Sequence, residues 1–188
     1  MARPQKRKAA KDYPGIPKGS EYWYVKIKTG PRSSRVMRQL TAFKRSQLTS
    51  SEFLSAQYAW EETKAELSDM DEAQGLADTI RELGEEQQSK KDNMPDGLQQ
   101  GDTGQLLEDR ATACEDAATE IEAVISDWES AKDDYETEQT AFEEYETALE
   151  NWISDGEPEG DKPEEVEDPG EFDEDEYISR VQDVEINI

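Results

Sequence analysis

Histidine is missing from the chain, and cysteine occurs once, as Cys114. These two scarcities exclude a disulfide within the chain, zinc sites built on Cys and His, Ser-His-Asp triads and Cys-His dyads. No apolar run approaches the roughly 18 residues of a membrane span. The opening "MARPQKRKAAKDYPG" has no apolar stretch of the signal-peptide kind, so the expected setting is intracellular and soluble. "GLQQGDTG" supplies glycines without the G-x-x-x-x-G-K-[ST] pattern of a phosphate-binding loop. The acid-rich end of the chain lacks the D-x-[DN]-x-[DN]-G spacing of a calcium loop. Carboxylates are so abundant that no pair stands out as a general acid and base. The expectation is a protein that is not an enzyme, with no cofactor and no metal.

Apolar residues are also few, 33% against 36% charged in 188 residues. Any core must therefore be narrow, and long helices sharing a seam meet that demand better than a globule. Basic residues are scarce after position 50. Residues 1–50 hold 13 Lys or Arg against 2 Asp or Glu, net +11, whereas residues 51–188 hold 8 against 45, net −37. A basic head precedes an acidic body. The head suits nucleic acid or an acidic protein. For the body three readings stay open: a solvated face that keeps a rod soluble, adaptation to high salt, and mimicry of DNA by carboxylates.

Along the chain, residues 1–17 mix Lys, Arg, Ala and Pro without period and predict a mobile basic arm. Residues 18–48 predict a basic β-ribbon head. "EYWYVKIKT" alternates, with Trp23, Val25 and Ile27 on one face and Tyr22, Tyr24, Lys26 and Lys28 on the other, "GPRSS" turns, and "RVMRQL" returns. With Arg32, Arg35, Arg38, Lys44 and Arg45, that second face offers aromatic surfaces beside phosphate-seeking cations, a candidate nucleic-acid site. The competing reading docks the same face on the chain's own acidic helices.

Residues 49–153 predict an antiparallel helical hairpin. Thr49 and Glu52 have the spacing of a capping box. Phe53, Trp60 and Leu67 share one face, but Ala73, Leu76, Ile80 and Leu83 follow a register one residue out of step, which calls for a break or kink near Ser68, where a new cap is available, or for local overwinding, with the break or kink favoured. "NMPDGLQQGDTG" is the turn, at about residues 91–103, with Asp102 or Thr103 available to cap the next helix. From there Leu107, Cys114, Ile121, Trp128, Tyr135, Phe142 and Leu149 recur every seven residues. Ala117, Val124, Ala131, Tyr145 and Trp152 lie between them, and Arg110 and Glu138 are the polar exceptions. This is a coiled-coil seam, with Cys114 as a packing residue, and about fifty residues at ~1.5 Å each give a rod of about 75 Å. Its aromatic end, Trp128, Tyr135, Phe142, Tyr145 and Trp152, predicts a protein contact, covered by a second copy or by the basic ribbon.

Residues 154–188 predict an acidic, disordered linker and a C-terminal strand. "VEINI" alternates Val184, Ile186 and Ile188, and is expected to return to the head as a third strand that brings the acidic linker over the nucleic-acid face. The fold class expected overall is mainly α, a small basic β head on a long helical hairpin.

Three segments, "IPKGSEYWYVKIKTGP", "RSQLTSSEFLSAQYAWEE" and above all "DNMPDGLQQGDTGQLLEDRATACEDAATEIE", resemble a functionally uncharacterised family of proteins from tailed viruses of bacteria and archaea and from prophages. The resemblance covers residues 16–125. It implies viral origin and a head-plus-hairpin layout. Family members often carry cysteine pairs around the ribbon, which implies a zinc-ribbon head, and those cysteines are absent here. The functional expectation is a viral interaction protein located in the host cytoplasm or the virion, not secreted and not membrane-bound. Its head would contact nucleic acid or a nucleic-acid machine, and its rod a protein partner or a second copy. Alternatives are a DNA mimic that inhibits a host defence or repair protein, and a virion or scaffolding component.

Overall fold

The structure is a computed structural model that describes residues 2–156 and 162–188. Its elements are strands β1 (Gln5–Lys8), β2 (Glu21–Lys28) and β3 (Ser34–Gln39), then helices α1 (Glu52–Ala65), α2 (Ala73–Asp92), α3 (Asp96–Gln99), α4 (Asp102–Ser154) and α5 (Glu174–Asp183). It is mainly helical with a small antiparallel sheet, the expected fold class.

The strands lie in the order β1-β2-β3, both pairs antiparallel. The expectation of a mobile arm is corrected here, because residues 5–8 pair with Tyr24 to Glu21 and close one edge of β2. A two-stranded ribbon is marginal in water and an open edge is a liability, and the N-terminal segment meets that need. "VEINI" does not: residues 184–188 form no strand. The β1–β2 connection folds back at Gly15, whose φ of 71° suits glycine, and lays Ala9 and Ile16 over Tyr22 in a small apolar cluster. On the opposite face of β2, Val25 and Ile27 are buried. A cleft between that face and α1 is lined by Ile27, Arg35 and Met37 on the sheet and by Ser55, Ala56 and Ala59 on the helix.

α1 is capped two residues later than the Thr49 capping box suggests. Ser51 is the N-cap, its hydroxyl accepting from the Leu54 amide at 3.4 Å, while Thr49 accepts from the Ser51 amide at 3.2 Å. The break near Ser68 is present. α1 ends at Ala65, Asp69 caps a short 3-10 turn at Met70–Glu72, and α2 starts afresh at Ala73. This interruption resets the helical phase, so Phe53, Trp60 and Leu67 join Ala73, Leu76, Ile80 and Leu83 in one core. The Trp60 indole donates to the Leu76 carbonyl at 2.9 Å and ties the two helices across the break.

α2 and α4 form the antiparallel hairpin, fixed by Lys91–Glu108 at 2.8 Å near the turn and Arg81–Glu122 at 2.8 Å further along. Small residues let them approach. A Cβ on Gly84 would lie 3.0 Å from the Cys114 Cβ and 3.1 Å from the Ala111 carbonyl oxygen. Neither Asp102 nor Thr103 caps α4; the N-cap is Gly101 and no side chain caps it. α1 runs beside this pair and parallel to α4, with the Arg110 guanidinium 4.5 Å from the centre of the Phe53 ring. That proximity explains why a cation interrupts the seam at position 110.

The largest departure lies at the C-terminal end. The expected disordered linker contains α5, while its residues 157–161 lie outside the described residues, as does Met1 of the arm. α5 places Ile178, Val181 and Val184 in the main core. Arg180 pairs with Asp127 at 2.6 Å, the Gln182 amide donates to the Leu67 carbonyl at 3.0 Å, and the buried Lys64 ammonium donates to the Val184 carbonyl. The end of the chain thus closes the helical bundle and leaves the sheet alone.

Candidate nucleic-acid interface

Register decides which side chains of the head share a face, because residues directly paired across strands project to the same side. Tyr24 pairs with Gln5 and Arg38, Lys26 with Val36, and Lys28 with Ser34. The Arg7 guanidinium sits 4.1 Å from the centre of the Tyr24 ring. Arg38 lies 4.7 Å from that of Tyr13 and 5.6 Å from that of Tyr24, and the Lys11 ammonium 5.7 Å from that of Tyr13. Cations stacked on ring faces gain from the ring quadrupole, and a stacked guanidinium still presents its in-plane N–H donors to a phosphate.

The two acids of the head are engaged elsewhere. Asp12 accepts from the Lys18 amide at 2.7 Å. Glu21 pairs with Lys6 at 2.7 Å, and the hydrogen bond and charge of Lys6 hold its carboxyl below the usual carboxylate range. Lys26, Lys28, Arg32, Arg35 and Arg38 are exposed and form no ion pair among the described residues.

Of the nine residues expected at this site, Tyr24, Lys26, Lys28 and Arg38 share the open face, and Arg32 lies in the β2–β3 turn beside it. Tyr22 is corrected: it is only 5% exposed, under Ala9 and Ile16, and cannot stack a base. Arg35 is corrected too, since it pairs with Ile27 and lies on the opposite face, at the cleft. Lys44 and Arg45 reach α1 instead, pairing with Glu62 at 3.5 Å and Glu61 at 3.3 Å, and Arg45 also covers the Tyr58 ring at 3.9 Å. Among the described residues, the docking of head cations on the acidic helices is therefore confined to these two residues and does not extend to the sheet face. Sequence reasoning missed Arg7, Lys11 and Tyr13. "QKRK" has no apolar alternation, and only its pairing with β2 reveals it as a strand.

The second expected interface, the aromatic end of the seam, divides in two. Trp128 is 7% exposed and belongs to the main core. Tyr135 donates its hydroxyl to the Gly170 carbonyl at 2.9 Å and packs on Phe172, ring centres 5.5 Å apart. The segment before α5, not the ribbon, packs on Tyr135, and Trp128 is buried within the chain, which corrects Trp128 as a contact residue and gives Tyr135 an intramolecular neighbour. Phe142, Tyr145 and Trp152 lie beyond it, half-buried and outside the main core.

Cys114 is fully buried, and loss of water around it raises its thiol pKa to about 11, so it is protonated at neutral pH and serves as a packing residue. Among the described residues no group of His, Cys, Asp or Glu is placed to hold a metal ion, and no helix is long and apolar enough to cross a membrane. The chain matches no family model, no curated protein and no solved structure.

Proposed function

We propose that the protein is a non-enzymatic interaction protein of viral origin, acting in the host cytoplasm or the virion, whose sheet binds nucleic acid and whose helical rod binds a protein. One observation carries the first half: Tyr24 lies between Arg7 and Arg38 on a strand face that continues into Lys26 and Lys28. A stacking platform beside unpaired cations is the chemistry of single-strand binding without sequence preference. Viral origin rests only on the resemblance over residues 16–125.

The test is titration of the full chain into labelled single-stranded DNA and RNA over a series of salt concentrations. Removing one cation that neutralises a phosphate lowers the steepness of log affinity against log salt by about 0.7 for a single strand. Arg7→Ala with Arg38→Ala should weaken binding at least tenfold, about 1.4 kcal/mol, and flatten that slope by about 1.4. Absence of wild-type binding at low salt would overturn the nucleic-acid assignment.

A second reading has its own observation. No Lys or Arg occurs between Lys132 and Lys162, and residues 133–150 carry eight Asp or Glu. An uninterrupted acidic helix suits a decoy for a DNA-binding protein. Competition with duplex DNA for a host target, abolished by neutralising Glu143, Glu144 and Glu146, is the result this reading requires.

A further inference from the structure

The outer half of α4 is shielded on one face only. Tyr135, Gln139, Phe142, Tyr145, Leu149 and Trp152 are half-buried, while Glu138, Glu143 and Glu146 are exposed. A lone helix cannot shield one of its own faces, so another segment lies along this one. The chain itself supplies a candidate. α4 ends at Ser154, and by Gly170 the backbone is beside Tyr135 again, where its carbonyl accepts the tyrosine hydroxyl at 2.9 Å and Phe172 packs on the ring. Residues 162–173 belong to no helix or strand and make no turn or bend.

Half-burial in this returning segment recurs at every third residue, Pro163, Val166, Pro169 and Phe172, and the acidic residues between them are exposed. A β-strand would shield every second residue; three per turn is the repeat of the polyproline II helix, whose φ proline fixes. Gly170, at φ 73° and with its amide donating to the Asp168 carboxylate at 2.9 Å, ends the run. The lengths agree. From Pro163 to Gly170 a polyproline II helix advances about 22 Å, and from Leu149 back to Tyr135 α4 covers about 21 Å. Pro163 then comes abreast of Leu149, and Val166 abreast of Phe142 and Tyr145. We propose that the outer face of α4 is a binding site for a polyproline II segment, with the chain's own residues 163–169 as its resident ligand. Aromatic surfaces take such segments readily, because the extended helix is preformed and little ordering is needed on docking. A segment of another protein with proline or an aliphatic residue at every third position has the shape to exchange with this strap. The exchange rests on the reading that the rod binds a protein and names the class of that partner; the strap stands without it.

Two measurements on the full chain test the proposal. In the wild type, nuclear Overhauser contacts should join the Val166 methyl groups to the Phe142 or Tyr145 ring, and Pro163 to Leu149. Absence of both would overturn the strap and leave the protein-binding reading standing. The second measurement titrates the isotope-labelled chain with a peptide of two tandem copies of residues 163–168, which has Pro or Val at every third position. Tethering holds the strap at an effective concentration of about millimolar. The peptide should therefore bind the outer face of α4 at least tenfold more tightly in Val166→Ser with Pro169→Ser, whose strap has lost two contacts, than in the wild type. A scramble without the three-residue spacing should bind neither. Equal binding of the scramble, or equal affinity of the ordered peptide for wild type and variant, would overturn recognition at this face. Contacts present in the wild type with no peptide binding by the variant would make the strap a fixed part of the fold and overturn the exchange. A protein partner that binds the rod while the Val166 contacts persist would also overturn the exchange, and would keep the protein-binding reading.

Discussion

The two ends of α4 carry the same heptad repeat into opposite circumstances. Over residues 104–128 the seam positions meet α1, α2 and α5, and Cys114, Ile121 and Val124 are buried in a core that their neighbours complete. Over residues 136–154 the repeat continues, but neither α2 nor α5 extends that far. A heptad pattern thus states that a stripe wants cover; it does not state what covers it. At Ile121 the cover is intramolecular, at Tyr135 it is the chain's own C-terminal segment, and at Phe142 it lies outside the core.

Ile121→Ala against Leu149→Ala gives the widest separation. The first empties a site with no solvent exposure and should cost about 2 to 5 kcal/mol in denaturant unfolding, because truncating a buried Ile leaves a cavity. The second should cost less than about 1 kcal/mol, as substitutions away from the core do. Equal losses would mean that the distal arm is packed in solution.

Val181→Asp should follow in size. It places a carboxylate at a fully buried position, and an unpaired buried charge costs several kcal/mol, about 2 or more once the helix lifts away to relieve it. Hydrogen exchange should rise over residues 174–188 and stay constant over residues 21–39. A change in the sheet would restore the idea that the tail supports the head.

Gly84→Ala sharpens the proximal half further. Alanine improves helix propensity by about 1 kcal/mol, but its Cβ would meet the Ala111 carbonyl oxygen at 3.1 Å, and overpacking costs about 1 to 3 kcal/mol. The expected outcome is a small net loss in thermal stability; a gain would show that the α2–α4 spacing yields.

The smallest effect concerns Lys64. Burial lowers its pKa from 10.5, while the nearby carboxylates Glu61 and Glu185 act the other way. Its folded value lies below its unfolded value, so in the window between them the unfolded state holds more protons. Stability rises with pH across that window and is lost again as pH falls through the folded value. Denaturant midpoints measured just below pH 10.5 should show this slope in the wild type, and Lys64→Met should remove it.

What could be read beforehand was whatever depends on spacing within one element. The phase slip between Leu67 and Ala73, the turn around Pro95 and the seven-residue repeat all survive as a helix break, a hairpin turn and α4. What escaped depends on partners distant in sequence. Gln5–Lys8 is a strand because β2 lies beside it, and Tyr22 is buried because a loop crosses its face. α5 did leave a signal, Tyr177, Ile178, Val181 and Val184 at helical spacing. Dense acid and proline in the preceding residues concealed it, and the two-residue alternation of "VEINI" was the wrong period for a segment that belongs to a helical core. The expected cationic face survived in part, since alternation along β2 placed Tyr24, Lys26 and Lys28 correctly.

α4 is about 80 Å long at ~1.5 Å per residue, and its contacts with α2 and α5 lie in its first half. Mechanically it is a beam held at its inner half. A sideways load on its outer half is carried inward to the stretch that Arg180 and Gly170 grip through Asp127 and Tyr135. α5 is therefore the strut of a lever, and a pull on the outer half of α4 is felt at the joint between α4 and α5.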